Sequence, residues 1–310
     1  MLGYRAPRFQ SGFSIVLDKL EMFMAVAKEG HFGRAAQSLG ITQPTLSTGI
    51  KQLEDQLGVQ LIFRGSRYGG LTPEGQSALV WARKIVGNAR QLREEMRFSR
   101  HGLAGQLRIA VIPTALTWAG RLTNRFSALH PNVRFTVLSR TSIEILTMIE
   151  NLDVDAGISY LDNEPTGRVS REPLYEERYM LVCRDDSEFA GRPEVRWREL
   201  AGQTLCLLTP DMQNRRIINK NLQAAGVPPE AAIEANSTVV LVANVLQGGF
   251  LTVLPEDIAR FLIGGKPIEI IPLSGGGKGH AVGLVAPFRE PHTPVLAALL
   301  AEARRLSDLG

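Results

Sequence analysis

Apolar positions recur in two rhythms along the chain, and the change falls near residue 103. Before it the spacing is helical. Leu20, Phe23, Met24 and Ala27 fall at i, i+3, i+4 and i+7 and predict a helix from Asp18, punctuated by Gly30. A short helix over Arg34 to Leu39 turns Ala35, Ala36 and Leu39 inward, and Gly40-Ile41 makes a tight turn. A third helix, Gln43 to about Gln56, has Thr42 as N-cap and Pro44 in its first turn, where a missing N–H is tolerated. Its apolar stripe is Leu46, Ile50, Leu53 and Leu57, and Gly58 ends it. Leu61-Ile62-Phe63 and Leu71-Thr72 read as a strand pair around the turn Arg64 to Gly70. Pro73 then opens a helix to about Arg100. Its small or apolar positions, Gly75, Ala78, Ala82, Ile85, Ala89, Leu92 and Met96, form a heptad seam. The seam packs on its own domain or on a second copy. The charged residues on the other faces favour the second copy.

After the small joint His101 to Gly105 the pattern becomes short apolar strands alternating with helices. Leu107–Ile112, 115–129, Val133–Leu138, 142–151 and Ala156–Tyr160 make a βαβαβ run, which implies a parallel sheet. A second run follows with strands Tyr179–Cys183, Thr204–Leu208, Ala232–Ala235, Leu251–Leu254, Ile268–Ile271 and Ala281–Ala286, helices at 214–225 and 238–247, and a closing helix from about Thr293 to Leu306. Two linked α/β lobes with a cleft between them fit this order.

The 310 residues allow two domains, and 44% apolar with 21% charged residues describes an ordered globular chain. No apolar run nears the ~20 residues of a membrane helix. Phe13 to Val26 is broken by Asp18, Lys19 and Glu21, which argues against a secretory signal and for a cytoplasmic protein. Residues 1–100 hold 14 Lys/Arg against 8 Asp/Glu, whereas the remainder holds 21 against 23. A basic first third suggests a polyanion partner, and ordinary scatter is the alternative.

Phe32 to Lys51 has the physics of a helix-turn-helix. The second helix exposes Gln43, Thr45, Ser47, Thr48 and Lys51, which can hydrogen-bond base edges and phosphates. Carboxylates appear only at Glu54 and Asp55. A solvated face on an ordinary bundle is the other reading, and the long helix that follows shifts the balance towards a twofold-symmetric reader. Arg64 and Arg67 on the turn suit a minor groove or phosphate backbone.

These residues carry a resemblance. Phe23 and Ala27, Ala35-Ala36 and Leu39, Gln43-Pro44 and Ser47, Leu53-Glu54, Leu57-Gly58, Arg64, and Leu71-Thr72-Pro73-Glu74-Gly75 resemble the winged helix-turn-helix of LysR-type transcriptional regulators. The likeness extends in order and length to nearly the whole chain from Leu17. It implies an N-terminal all-α winged helix-turn-helix with a long linker helix, and a C-terminal α/β two-lobed effector domain like periplasmic binding proteins. The expected division is a tail at 1–16, the DNA-binding domain at 17–74, the dimerisation helix at 75–102 and the effector domain at 103–310. Lobe I takes about 103–167 and 290–310, and lobe II about 168–289. Three departures stand out: His31 and Gly33 where the family often has hydroxyls, Ile62 where it often has Phe, and a longer tail. Candidate DNA contacts are Arg34, Thr42, Gln43, Pro44, Thr45, Ser47, Thr48, Lys51, Arg64 and Arg67.

In the lobes, strand ends that run into hydroxyls and helix N-termini suit a small carboxylate or other anion. The candidates are Thr114, Ala115, Thr141, Ser142, Thr209, Gln213 and Ser237, with simple N-capping as the alternative for each Ser or Thr. Thr114 is preferred because the family's effector contacts usually follow the first strand. Arg215 and Arg216 either counter an anion or face water. No metal spacing, GxSxG or paired carboxylates stand out among the histidines and acids, so no enzyme activity, cofactor or metal is expected. Gly275 to Gly279 lacks phosphate-loop order and reads as a turn. Cys183 and Cys206 lie in apolar runs and read as inert thiols, a redox switch being the alternative. The resemblance implies a homodimer and homotetramer on promoter DNA, an inducer that changes DNA bending, and RNA polymerase as a further partner. A transport-type binder or an enzyme using the cleft are the other classes.

Overall fold

Three short helices close the first core, because each has one apolar stripe and nothing else to bury it against. The computed structural model describes residues 12–63, 68–162, 169–277, 279–288 and 291–308. The chain divides into two compact units, Met1–Ser99 and Arg100–Gly310. In the first, α1 (Gly12–Glu29), α2 (Phe32–Ser38) and α3 (Gln43–Leu57) bury Phe23, Val26, Ala35, Ala36, Leu46, Ile50 and Leu53. Helix α1 begins ahead of the expected Asp18. Leu39 and Leu57, expected inside, are exposed, because α2 and α3 end there and the stripes outrun the core.

The expected strand pair shrinks to one antiparallel bridge, Ile62 to Leu71. The backbone N–H groups of Leu61 and Ile62 donate instead to Glu54 Oε1, at 2.8 and 3.2 Å. Helix α4 (Pro73–His101) follows, capped by Thr72 Oγ1, which accepts from Gly75 N at 2.9 Å. A Cβ on Gly75 would lie 2.0 Å from the Leu61 carbonyl oxygen, so only glycine fits there.

The heptad seam is divided. Gly75 and Ala82 are buried within this unit alongside Val86, whereas Ile85, Leu92 and Met96 are exposed together with Trp81. The face left open therefore runs Trp81, Ile85, Leu92, Met96, a revision of the expected stripe. Arg90 of α4 pairs with Glu21 of α1 at 3.2 Å.

The second unit starts as the βαβαβ pattern predicts, with β1 (Gly105–Val111), α5 (Leu116–Leu129), β2 (Val133–Ser139), α6 (Ser142–Glu150) and β3 (Ala156–Tyr160). Strand β1 pairs in parallel with β2 and β3. The sheet is completed by β4 (Val169–Glu177) and β11 (His280–Pro287), in the order β2-β1-β3-β11-β4, with β11 antiparallel to both neighbours. Both strands had been assigned by position to lobe II. The first lobe thus includes them, and the chain crosses near residue 178 and again near 275–279. Strand β4 was unexpected because Pro173 and its charges obscure the alternation. It is an edge strand, where a missing N–H is tolerated, and the register shifts opposite Pro173.

Lobe II contains β5 (Tyr179–Arg184), β6 (Val195–Arg196), β7 (Cys206–Leu208), α7 (Gln213–Ala224), β8 (Ile233–Ala235), α8 (Thr238–Gly248), β9 (Thr252–Pro255), α9 (Glu256–Ile263) and β10 (Ile268–Ser274). Its main sheet, β6-β10-β5-β9, is largely antiparallel, which corrects the expectation of a second parallel run. Parallel pairing here is confined, among the described residues, to β7–β8, β10–β6 and the single bridge Leu205 to Leu251. Strand β6 and helix α9 were not expected. Helix α10 (Pro294–Ser307) returns to the first lobe, burying Leu299 and Ala303. No described helix is long and apolar enough to cross a membrane.

Candidate nucleic-acid interface and ligand cavity

Helix α3 begins where Thr42 Oγ1 accepts the Thr45 N–H at 3.3 Å, and the Thr42 and Thr45 hydroxyls lie 2.9 Å apart. These two hydroxyls are engaged with each other, so Thr42 acts first as the cap. Gly58, at φ +71, closes the other end. Between them Leu46, Gly49, Ile50 and Leu53 face inward, leaving Gln43, Pro44, Thr45, Ser47, Thr48 and Lys51 exposed on one side. No acid lies in the first turn, where the Gln43 N–H and the helix dipole leave partial positive charge. A cation, an amide and hydroxyls at a helix N-terminus form a surface that phosphate attracts and base edges can pair with.

Two supports of this surface were not legible as such. His31 is the N-cap of α2: its Nδ1 accepts from Gly33 N at 3.0 Å and Arg34 N at 3.3 Å. The ring thus does the capping that a hydroxyl does in the family pattern. Glu54 turns its carboxylate back onto the bridge backbone and so ties the wing to α3. Arg34 is exposed, and its Nη2 donates to Glu29 O at 2.5 Å. Arg64 and Arg67 lie outside the described residues.

The second site lies between the lobes. Ile112, Pro113 and Thr114 after β1, Thr141 and Ser142 after β2, and Tyr160 at the end of β3 face Leu208, Met212, Gln213 and Asn214 of lobe II across a nearly closed pocket of about 10 Å³. It adjoins an open cleft of about 500 Å³ lined by Arg140, Glu144, Asp211, Asn236 and Ser237, among others. Thr114, Thr141, Ser142 and Gln213 are therefore brought together, and Ser237 joins them in the cleft. Ala115 is fully buried with its amide bonded to Ile112 O, and Thr209 lines neither space. The Thr141 hydroxyl is occupied in a capping box with Glu144, where N-capping accounts for it. Asn214 and Tyr160 were not anticipated, since nothing local marks either one.

Thr114 Oγ1 and the Asn214 amide are buried at the pocket wall, where both face the Tyr160 hydroxyl and Thr114 also faces the Glu177 carboxylate. The cation that an anionic ligand calls for is not offered here. Arg215 is buried, but it spends its donors on Asn219, Leu208 O, Glu234 and Pro229 O. Arg216 is held by Gln213 Oε1 and Asp211 O. Among the described residues lining the pocket and cleft, Arg140, beside Glu144 and Asp211, is the one that brings positive charge near.

Behind the pocket, at the first lobe crossing, stands Glu177, only 1% exposed. Tyr160, Tyr179 and Tyr175 donate to its carboxylate at 2.7, 3.1 and 3.5 Å. Burial pushes its pKa up to about 7 against the opposing pull of these hydroxyls. Tyr175 stacks on Trp118 at 4.7 Å, and Trp118 and Arg121 of α5 both donate to Asp257 of α9 at 3.0 Å, a clamp between the lobes. Cys183 and Cys206 are buried, and burial raises both thiols to about 11. Among the described residues no group of three or more His, Cys, Asp or Glu could hold a metal.

Residues 17–76 match the model of the bacterial regulatory helix-turn-helix protein, lysR family, and residues 100–308 match the LysR substrate binding domain. The transcriptional regulator XapR of Escherichia coli is 29% identical over 79% of this chain and 83% of its own length. The dual regulator OxyR of E. coli is 30% identical over 76% and 77%. Among solved structures, a full-length OxyR variant of Pseudomonas aeruginosa shares 25% identity with a TM-score of 0.70, covering 94% of each chain. CbnR bound to its target DNA shares the fold, with a TM-score of 0.60 at 21% identity over 94% of this chain and 99% of that one.

Proposed function

The chain belongs to the LysR family of DNA-binding transcriptional regulators, and from that premise we propose that α3 reads an operator while the interlobe pocket binds the inducer. Gln43, Ser47 and Thr48 contact base edges, while Lys51 and the Gln43 N–H hold phosphate. Pro44 packs against the groove wall, and Arg34, Arg64 and Arg67 add backbone or minor-groove contacts. Two subunits pair through the open face Trp81, Ile85, Leu92, Met96, which places two reading helices on an interrupted palindrome, and two such dimers form a tetramer. Inducer binding changes lobe closure, and with it dimer spacing, DNA bend and access for RNA polymerase. The ligand acts only if it binds the open and closed lobes unequally.

The observation that carries the pocket assignment is the meeting of buried polar groups from opposite lobes, Thr114 and Tyr160 against Asn214, at its wall. A thermal-shift screen of the full chain with small amides, polyols and carboxylates tests it. Compounds that stabilise the protein should lose their effect in Thr114→Val, with affinity for duplex DNA unchanged. Stabilisation untouched by that substitution would place the inducer elsewhere.

A further inference from the structure

Among its described residues the second unit buries two carboxylates, Glu177 and Glu302, and it treats them differently. Glu302 receives guanidinium groups from Arg125 at 2.8 Å and Arg305 at 3.4 Å. Glu177 receives three phenol hydroxyls, and among the described residues no lysine or arginine pairs with it. A buried carboxylate is ordinarily neutralised by a cation, so three neutral donors leave its charge uncompensated. The groups around it come from five elements: Tyr160 of β3, Tyr175 of β4, Tyr179 of β5, Thr114 after β1, and His280 opposite it on β11. His280 Nδ1 lies 3.2 Å from Asp162, and Asp257 of α9 acts on Tyr175.

Tyr160 links this carboxylate to the pocket. Its hydroxyl gives its proton to Glu177 Oε2, and Thr114 and the Asn214 amide meet the same oxygen, so a ligand entering the pocket exchanges contacts within this set. Beside it, Thr114 can donate or accept, and the Asn214 amide offers both a carbonyl and an NH₂. A ligand complementary to this set brings one proton for Tyr160 and one acceptor for Asn214. An amide or a hydroxyl does so. A carboxylate has no proton to give and adds a second negative charge near a buried one, where water screens poorly.

We propose that the interlobe pocket takes an uncharged hydrogen-bonding group and rejects carboxylates, with Glu177 setting that preference through Tyr160. This rests on the pocket being the inducer site. Because burial holds Glu177 near neutrality, a carboxylate enters only as Glu177 takes up a proton, and its binding strengthens as pH falls.

Isosteric probes of one shape and three charges test this on the full chain by calorimetric or ligand-observed NMR titration: acetate, acetamide and acetamidinium, then benzoate, benzamide and benzamidinium. At about pH 8 the carboxylate should bind at least roughly tenfold more weakly than its amide, and the gap should narrow at about pH 6. In Glu177→Gln the gap should close at both values. Should that variant not fold, the wild-type pH dependence decides alone. Carboxylate binding equal to or tighter than amide at about pH 8, a gap indifferent to pH and to Glu177→Gln, or no binding by any probe overturns the proposal. Thr114→Val separates the two readings. Carboxylate-first binding that Thr114→Val abolishes refutes the charge preference alone, whereas binding that ignores Thr114→Val refutes the pocket assignment as well.

Discussion

The two recognition surfaces are built on opposite principles. The exposed side of α3 draws its groups from nine consecutive residues, Gln43 to Lys51, and the Thr42 cap and Leu46–Ile50–Leu53 stripe fix its orientation. The interlobe pocket draws on the ends of β1, β2, β3 and β7 and the start of α7, and its polar atoms are buried against one another. A partner as large as duplex DNA can be met by one helix face held in water, where unpaired donors and acceptors are hydrated at little expense. A small ligand must be enclosed, and enclosure leaves the pocket's polar atoms to one another until it arrives.

That contrast can be broken at either surface. The largest effect expected is from Gly75→Val, which forces a side chain onto the Leu61 carbonyl. Chemical denaturation of the first unit's transition should show a loss of about 3 kcal/mol or more, together with loss of DNA binding, while the effector unit's transition stays in place. Next comes Glu177→Gln. A carboxyl whose folded pKa, about 7, stands above its ordinary 4.5 binds more protons in the folded chain. Its stability is full below the ordinary value, falls as pH rises through that window, and levels off above about 7. The wild type should lose up to about 3 kcal/mol across the window relative to the Gln variant, read as the difference between their denaturation midpoints against pH. Equal pH profiles would show that Glu177 ionises freely.

At the DNA surface, Gln43→Ala or Thr48→Ala should reduce discrimination between operator and shuffled duplex by about 1–3 kcal/mol. Lys51→Ala should weaken both duplexes alike and lower the salt slope by about one. Fluorescence anisotropy over a salt series separates the two kinds of change. The smallest effect belongs to Arg121→Ala, which removes a half-exposed arm of the lobe clamp. The thermal midpoint of the effector unit should move by the equivalent of about 1 kcal/mol or less.

What could be read in advance follows the same divide. The α3 cap, the Leu46–Ile50–Leu53 part of its stripe and the βαβαβ opening are local periodicities, and each appears where the spacing placed it. The heptad seam was half legible. Its spacing was right, but spacing cannot tell that Gly75 and Ala82 are claimed by the chain's own first unit. Strand β4 escaped because an edge strand tolerates Pro173 and exposed charge. With it went the lobe boundaries and the alternation Tyr175, Glu177, which puts one phenol and one carboxylate on a shared face of β4, with Tyr179 reaching the carboxylate from the start of β5. Asn214 carries no signal of its own. It matters only because α7 starts where β1 and β3 end. The anion expected from helix N-termini and hydroxyls finds the two nearest arginines of α7 engaged by Glu234, Gln213 and backbone carbonyls, which no local pattern reveals.

The most direct test of the account is titration of the full chain onto duplex from upstream of its own coding sequence and onto shuffled duplex of equal composition, each over a range of salt. Specific affinity should exceed non-specific by about a thousandfold or more, fall steeply with salt, and lose most of that ratio in Gln43→Ala together with Thr48→Ala. Equal affinity for the two duplexes, or a ratio the double substitution leaves unchanged, would contradict it.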